Sequence, residues 1–465
     1  MANSNAVGAR KPEEFTIEDV CELLKVKILP SEENDNFFKD IIGNTDIVKS
    51  MTEIVNILKT GKSTEILGKD FHPSFLLLGV EGIGKCLTAY AFAKEMELPI
   101  IVFDIEKLLQ DFSTKMVRGI KRLIEAHRPC VVLFKEVSFI SELDSEKAIS
   151  FYSKICSIKN SFPDSFFFAS ASTTTEFPSF FVKDEGFETI FSYNPPDPKE
   201  RQHLIRKFLR AIPHDEKLDV EKLSRDFFGF SGGQIHDFLR KALVQAVLKG
   251  KDKLTYELIN NTMYSEMYGG KVRKMSEKEL RLTAYHEAGH VVAGYFGCPD
   301  YKVSKVEVVN RRETLGLTDP EVDEEKHSYT REDIKGRIIT ALGGKVAEQV
   351  IFNTSTSGVV GDLAQAAGVA DGYVRRFGMD DSFGPVFVDD DTFYSDELAK
   401  IADLKIRELL ITLEKETYRV ILEHKDKLIG IAEALIKKET LYREEILRIL
   451  EGSEKKPRKP RTTAN

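Results

Sequence analysis

The chain has 465 residues, 42% hydrophobic and 31% charged, with a net charge of -8; this describes a globular protein of roughly two to four domains and argues against one built to bind nucleic acid. Five scattered cysteines (Cys21, Cys86, Cys130, Cys156 and Cys298), none in a C-x-x-C pair, exclude a disulfide framework and fit a reducing compartment. No apolar run approaches the ~18 residues of a membrane span and Met1–Phe15 lacks a secretory core, so the expectation is a soluble intracellular protein, cytoplasmic by default, with an organelle matrix as the alternative.

Residues 1–36 mix polar, acidic and short apolar stretches and read as a loosely attached lead-in. A helical pattern follows from Ile47 to Leu58, then a strand, Ser74 to Leu78. The strand leads at once into Gly79-Val80-Glu81-Gly82-Ile83-Gly84-Lys85-Cys86 and a helix from Leu87 to Met96. Strand, glycine loop and helix form a phosphate cradle: Gly79, Gly82 and Gly84 let backbone N–H groups approach the phosphates, and Lys85 reaches the terminal ones. Cys86 stands where a Ser or Thr hydroxyl ordinarily ligates magnesium, and a thiol suits that hard ion poorly. Mg2+ is therefore doubtful and ATP or ADP binding is expected to be weak.

A strand over Ile100–Phe103, a helix over Lys115–Ala126 and a strand over Pro129–Phe134 come next, the last ending in Lys135-Glu136. Phosphate-loop ATPases, which this strand and loop resemble, end the strand in Asp-Glu, the aspartate holding magnesium and the glutamate activating water; Lys135 stands in the aspartate's place and would repel the metal, while Glu136 is retained. Phe166–Ala169 reads as a further strand, and Asp197–Leu209, Gly232–Leu248 and Thr255–Met263 as helices of a small lid. The stretch Tyr268-Gly269-Gly270-Lys271 reads as the linker after it.

Ser276 and Glu279 make a capping box for a helix carrying His286-Glu287-Ala288-Gly289-His290, with Gly297 as its stop. Two histidines four apart share one helix face and one metal ion, and Glu287 can take a proton from metal-activated water. Zinc there must draw on His and carboxylate ligands, since no thiolate cluster exists. Val303–Val308 reads as an edge strand beside the site. The remainder is helical: Arg331–Ala341, Lys345–Phe352, Asp362–Phe377, Ser395–Lys415, Glu416–Ile436 and Thr440–Leu450. Residues 453–465 form a basic, disordered tail.

Residues 37–452 resemble the FtsH family of AAA+ zinc metalloproteases. The resemblance is carried by the glycine loop and, more specifically, by Thr283–His290, Leu342-Gly343-Gly344-Lys345-Val346-Ala347-Glu348, Ser357–Ala366 and Arg376–Met379. It implies that His286, His290 and Asp362 bind Zn2+ and that Glu287 is the general base. It also implies a hexamer, of like or related subunits, acting on polypeptides. Several family positions depart from the pattern: Ser172 replaces a phosphate-sensing asparagine, and Gly186 and Thr189, within Lys183–Thr189, stand where two arginine fingers belong. Phe112 stands at the substrate-gripping position of the pore, without the glycine expected after it. The family's membrane-spanning segment has no counterpart in the sequence.

The expectation is thus α/β plus all-α: an AAA+ phosphate-loop domain with a parallel sheet covered on both faces (37–195), a helical lid (196–268) and a mostly helical zinc metallopeptidase domain (269–452). The function expected is zinc-dependent endopeptidase action on unfolded or loosely folded polypeptides, attached to a module that hydrolyses ATP poorly or not at all. The alternatives are a non-catalytic subunit that scaffolds a related protease ring, and a conventional ATP-driven unfoldase-protease.

Overall fold

Short apolar runs flanked by helices build the first of two units. The computed structural model describes residues 26–60, 73–109, 114–183, 186–268, 275–299, 301–308, 317–320, 328–388 and 394–452. They divide into Met1–Asn260 and Asn261–Asn465.

In the first unit, β1 (Lys27–Leu29) precedes α1 (Thr45–Lys59), β2 (Ser74–Leu78), α2 (Lys85–Glu95), β3 (Ile100–Asp104), α3 (Ile105–Leu108) and α4 (Thr114–His127). Then come β4 (Val131–Lys135), α5 (Ser145–Asn160), β5 (Phe166–Ala171) and β6 (Thr189–Ser192). The sheet order is β1-β3-β4-β5-β2-β6. β3, β4, β5, β2 and β6 run parallel, and β1 joins antiparallel, with Ile28 opposite Ile101. Successive side chains of a strand point to opposite faces, and here both faces are covered. Leu76, Ile101, Phe103, Val132 and Phe134 pack under α4 and α5, against Ile120, Leu123, Phe151 and Ile155. Phe75, Leu77, Val102 and Leu133 pack on the other face with Met51 and Val55 of α1 and Phe92 of α2. Burial of each such side chain stabilises the sheet by about 1.5–3 kcal/mol.

Residues 27–36 are not a loose lead-in. β1 is paired to β3, and the side chain of Asn34, 1% exposed, donates to the carbonyl of Tyr90 at 2.7 Å. A three-residue strand carries too little periodicity to be read locally; the open edge of β3 supplies its partners.

The lid contains α6 (Pro198–Leu209), α7 (Val220–Asp226), α8 (Gly232–Leu248) and the start of α9 (Tyr256–Tyr268). Capping boxes at Asp197/Glu200 and Ser231/Gln234 begin α6 and α8. Arg201 is 1% exposed and donates to the carbonyls of Ser224 and Pro196, each at 2.7 Å, tying α6 to α7.

The second unit is built on α10 (Glu277–Gly297) and α11 (Arg331–Phe352), followed by α12 (Val360–Asp371), α13 (Asp396–Glu423), α14 (Lys425–Lys438) and α15 (Arg443–Glu451). β7 (Val303–Glu307), β8 (Leu317–Pro320) and β9 (Thr440–Tyr442) form an antiparallel sheet in the order β8-β7-β9. β7 is therefore the central strand, not an edge, which accounts for its nearly continuous burial.

Two predicted helix boundaries also fall away. α11 runs unbroken through Gly343-Gly344, because the glycines are needed for packing rather than termination. A Cβ on Gly343 would lie 2.5 Å from the Gly289 carbonyl oxygen, and one on Gly289 would lie 2.4 Å from the Gly343 oxygen. α13 continues past Lys415, with Leu413, Thr417, Val420 and Ile421 buried along one face, and the chain bends only at His424. The tail at 453–465 and the linker residues 269–271 lie outside the described residues.

Candidate metal centre and phosphate cradle

α10 starts on the expected capping box: Ser276 Oγ accepts from the Glu279 amide at 3.2 Å, and Glu279 Oε2 accepts from the Ser276 amide at 3.2 Å. Ala284, Ala288, Val291 and Val292 anchor the helix in the core. His286 and His290 then project one turn apart toward α11 and α12, where they meet Asp362 in the first turn of α12. The two Nε2 atoms lie 3.1 Å apart, and Asp362 Oδ2 is 3.1 Å from His286 Nε2 and 3.4 Å from His290 Nε2. A tetrahedral site with zinc–ligand bonds of about 2.0–2.1 Å has edges of about 3.3 Å, so the three atoms already outline one face of such a site. Gly344 keeps that face open: a Cβ there would sit 2.6 Å from both Nε2 atoms.

Both rings are held by their other nitrogen. His290 Nδ1 donates to the carbonyl of Thr340 at 2.8 Å, and His286 Nδ1 contacts Glu348 Oε1 at 2.8 Å. A proton on each Nδ1 leaves each Nε2 lone pair for a metal. Glu348, on α11 and 1% exposed, also accepts from the Thr356 amide at 2.6 Å and from Thr356 Oγ1 at 3.1 Å. One carboxylate thus joins α10, α11 and the turn that delivers Asp362. The sequence offered a signal for it, a carboxylate on an otherwise buried helix face, but no partner. Replacing Glu348 with alanine is expected to weaken zinc binding by about 10–100-fold, measured by competition with a chromophoric chelator. Unchanged affinity would remove Glu348 from the site's support.

Without metal, the carboxylates around His286 favour its charged form, so its Nε2 must lose a proton before it can ligate zinc. Burial opposes charge on His286, but hydrogen bonds to Asp362 and Glu348 overcome it and raise its pKa to about 10. Burial pushes Asp362 up, yet the two histidines hold it well below the usual carboxylate range. Glu287, 7% exposed, is raised by burial, against the pull of His290 and His286. Its Oε2 accepts a 2.7 Å hydrogen bond from Thr318 Oγ1 of β8. Thr318, Thr340, Gly344 and Glu348 are the residues that reading the sequence did not assign to the site.

In the first unit the glycine loop links β2 to α2 as predicted. Gly82 (φ +74°) and Gly84 (φ +112°) adopt the left-handed backbone that glycine favours. Gly79 meets Ile83 and Tyr193 so closely that a Cβ would lie 2.9 Å from each. Lys85, 3% exposed, donates to the carbonyls of Gly79 (2.5 Å) and Val80 (3.3 Å) and pairs with Glu136 Oε1 at 3.3 Å. Ser170 Oγ donates to Glu136 Oε1 at 3.3 Å. Burial raises the pKa of the Cys86 thiol, Lys135 opposes that rise most, and Glu136 adds to it. The amide of Gly233, in the first turn of α8, donates to the Gly82 carbonyl at 2.9 Å, so the lid closes against the loop.

The segment expected to lack arginine fingers is tightly built. A Cβ on Gly186 would fall 1.9 Å from the Phe181 carbonyl oxygen, Phe187 is fully buried, and Thr189 opens β6 opposite Phe75. Ser172 Oγ is satisfied locally by Thr174 Oγ1 at 3.1 Å. Phe112, Asp184 and Glu185 lie outside the described residues.

Comparison with known proteins divides the chain in the same way. Residues 75–190 match the ATPase family associated with various cellular activities (AAA), and residues 273–449 match peptidase family M41. The ATP-dependent zinc metalloprotease FtsH of Thermus thermophilus is 28% identical over 440 residues, covering 89% of this chain and 70% of that protein. FtsH 1 of Conexibacter woesei is 27% identical over 447 residues (89% and 68%), and human YME1L1, also described as an ATP-dependent zinc metalloprotease, is 26% identical over 432 residues (89% and 56%). No helix among the described residues is long and apolar enough to cross a membrane.

Proposed function

From a chain that belongs to the FtsH-type AAA+ zinc metalloproteases, we propose a zinc endopeptidase that cuts unfolded or loosely folded polypeptide without efficient ATP hydrolysis by its own AAA+ module. The observation that carries the peptidase half is the near-tetrahedral face formed by His286 Nε2, His290 Nε2 and Asp362 Oδ2 beside the buried carboxylate of Glu287. In this reading His286, His290 and Asp362 are the zinc ligands and Glu287 is the general base. Zinc held by these three residues would supply Lewis acidity and lower the pKa of water toward neutrality. Glu287 accepts the proton released as water attacks the peptide carbonyl and delivers it to the departing amine. Thr318 steadies the carboxylate for that exchange, and Glu348 and Thr340 fix the histidines. β8, at the sheet edge beside Glu287, can pair with an extended chain, which favours unfolded substrates.

The reading of a disabled motor is supported by four substitutions that act together. Cys86 and Lys135 replace the oxygen ligands of magnesium, and Gly186 and Thr189 leave no arginine finger. The domain limits follow the same reading: an AAA+ core over 37–195, a lid over 196–268 and the peptidase over 269–452. A hexameric ring, of this chain alone or mixed with competent relatives, completes it. The relatives' own description as ATP-dependent and the retained Lys85–Glu136 pair favour the second reading, a conventional ATP-driven protease. A scaffolding role has no need for the complete ligand set.

Removing the metal tests the peptidase half. Dialysis against a strong chelator is expected to abolish casein cleavage, and re-addition of zinc to restore it. Because His286 is protonated up to a pKa of about 10 in the metal-free protein, zinc uptake at neutral pH must expel that proton. About one proton per zinc is expected, and zinc affinity should fall as the pH is lowered. Calorimetry in buffers of different ionisation enthalpy measures the release. Cleavage that survives complete zinc removal contradicts the proposal.

A further inference from the structure

The end of β4 places a second cation beside the phosphate cradle. Lys85 is already matched: its ammonium pairs with Glu136 Oε1 and is covered by two loop carbonyls. Lys135, the residue before Glu136, is half-buried and forms no hydrogen bond or ion pair among the described residues. The nearest acid in register across the sheet, Asp104, is occupied by Lys107 at 3.1 Å. Lys135 closes β4 immediately before Glu136, whose carboxylate pairs with Lys85 of the cradle at 3.3 Å, and its charge acts on Cys86, the first residue after Lys85. Among the described residues the cradle therefore carries a positive charge with no acid paired to it, at the position where the proposed reading puts a lost carboxylate ligand of a divalent cation. Such a pocket is complementary to a polyphosphate that arrives without its metal.

Resting on the reading of residues 79–86 as a nucleotide cradle, we propose that this site binds a nucleoside di- or triphosphate without magnesium, with the Lys135 ammonium taking the charge-neutralising place of the ion. An ammonium balances phosphate charge and donates hydrogen bonds, as a metal does, but cannot organise an in-line water. The AAA+ module would then hold nucleotide as a structural ligand rather than a fuel.

The test is titration of the full-length protein with a fluorescent ADP analogue, once with excess magnesium and once with excess EDTA. The inference expects the same affinity in both. It also expects Lys135→Ala, shown to be folded by its thermal melt, to bind about tenfold or more weakly in EDTA, as loss of a charge-assisted contact implies. Lys135→Asp should lose binding in EDTA and recover part of it with magnesium. Wild-type binding that requires magnesium, or undiminished binding by Lys135→Ala in EDTA, overturns the role of Lys135 while leaving the cradle standing. No binding in either buffer overturns the cradle as well.

Discussion

Replacing Glu287 with glutamine is expected to leave about one zinc per chain in place and to lower casein cleavage by about 10²–10⁴-fold. The substitution keeps the side chain's size and an oxygen able to accept from Thr318, so the helix and the three metal-facing atoms stay as they are. What it removes is a site for a proton. Burial raises the pKa of Glu287, which brings a carboxylate closer to the pH at which it must both take and give that proton. Metal analysis and cleavage of a fluorescent casein, measured on the same preparation, separate the possible roles. Loss of zinc would make Glu287 part of the metal's support. Retained cleavage would mean that another group is the base.

ATP hydrolysis by the purified chain is expected to stay at background, the second large effect. An arginine finger is worth about 10³–10⁵ in turnover, and on the proposed reading the magnesium ligands are lost in addition. Restoring one part is not enough. Cys86→Thr with Lys135→Asp supplies two oxygen donors, yet Gly186 and Thr189 still offer no guanidinium. Gly186→Arg cannot return one, because its Cβ would fall 1.9 Å from the Phe181 oxygen. That variant is expected to melt earlier than the wild type without gaining turnover. A coupled phosphate-release assay with a parallel melt measures both, and turnover like that of an AAA+ motor would show that the substitutions are tolerated.

Where local sequence dictated local structure, reading it succeeded. The glycine spacing after Ser74–Leu78 requires the turn that is found, and Ser276 with Glu279 starts the helix bearing both histidines. Failure came where a distant partner decides. Gly343-Gly344 looks like a break until Gly289 is set against it, and Lys27–Leu29 is a strand only because β3 has an open edge. Glu348 stands out in the chain only as a carboxylate on a buried helix face; its partner His286 stands 62 positions away. Asp362 entered only through the family resemblance, since nothing local distinguishes a ligand from a first-turn acid stabilised by the helix dipole. The structure brings it to the histidines.

A working zinc peptidase joined to a motor that does not run on ATP is revealed by one rate. Casein cleavage by the full-length protein is measured with ATP and magnesium, with ADP, and with no nucleotide, using Glu287→Gln as the blank. Equal rates are expected in all three conditions, each abolished in the blank. A rate that rises several-fold only with ATP and is lost in Lys85→Ala would contradict this reading.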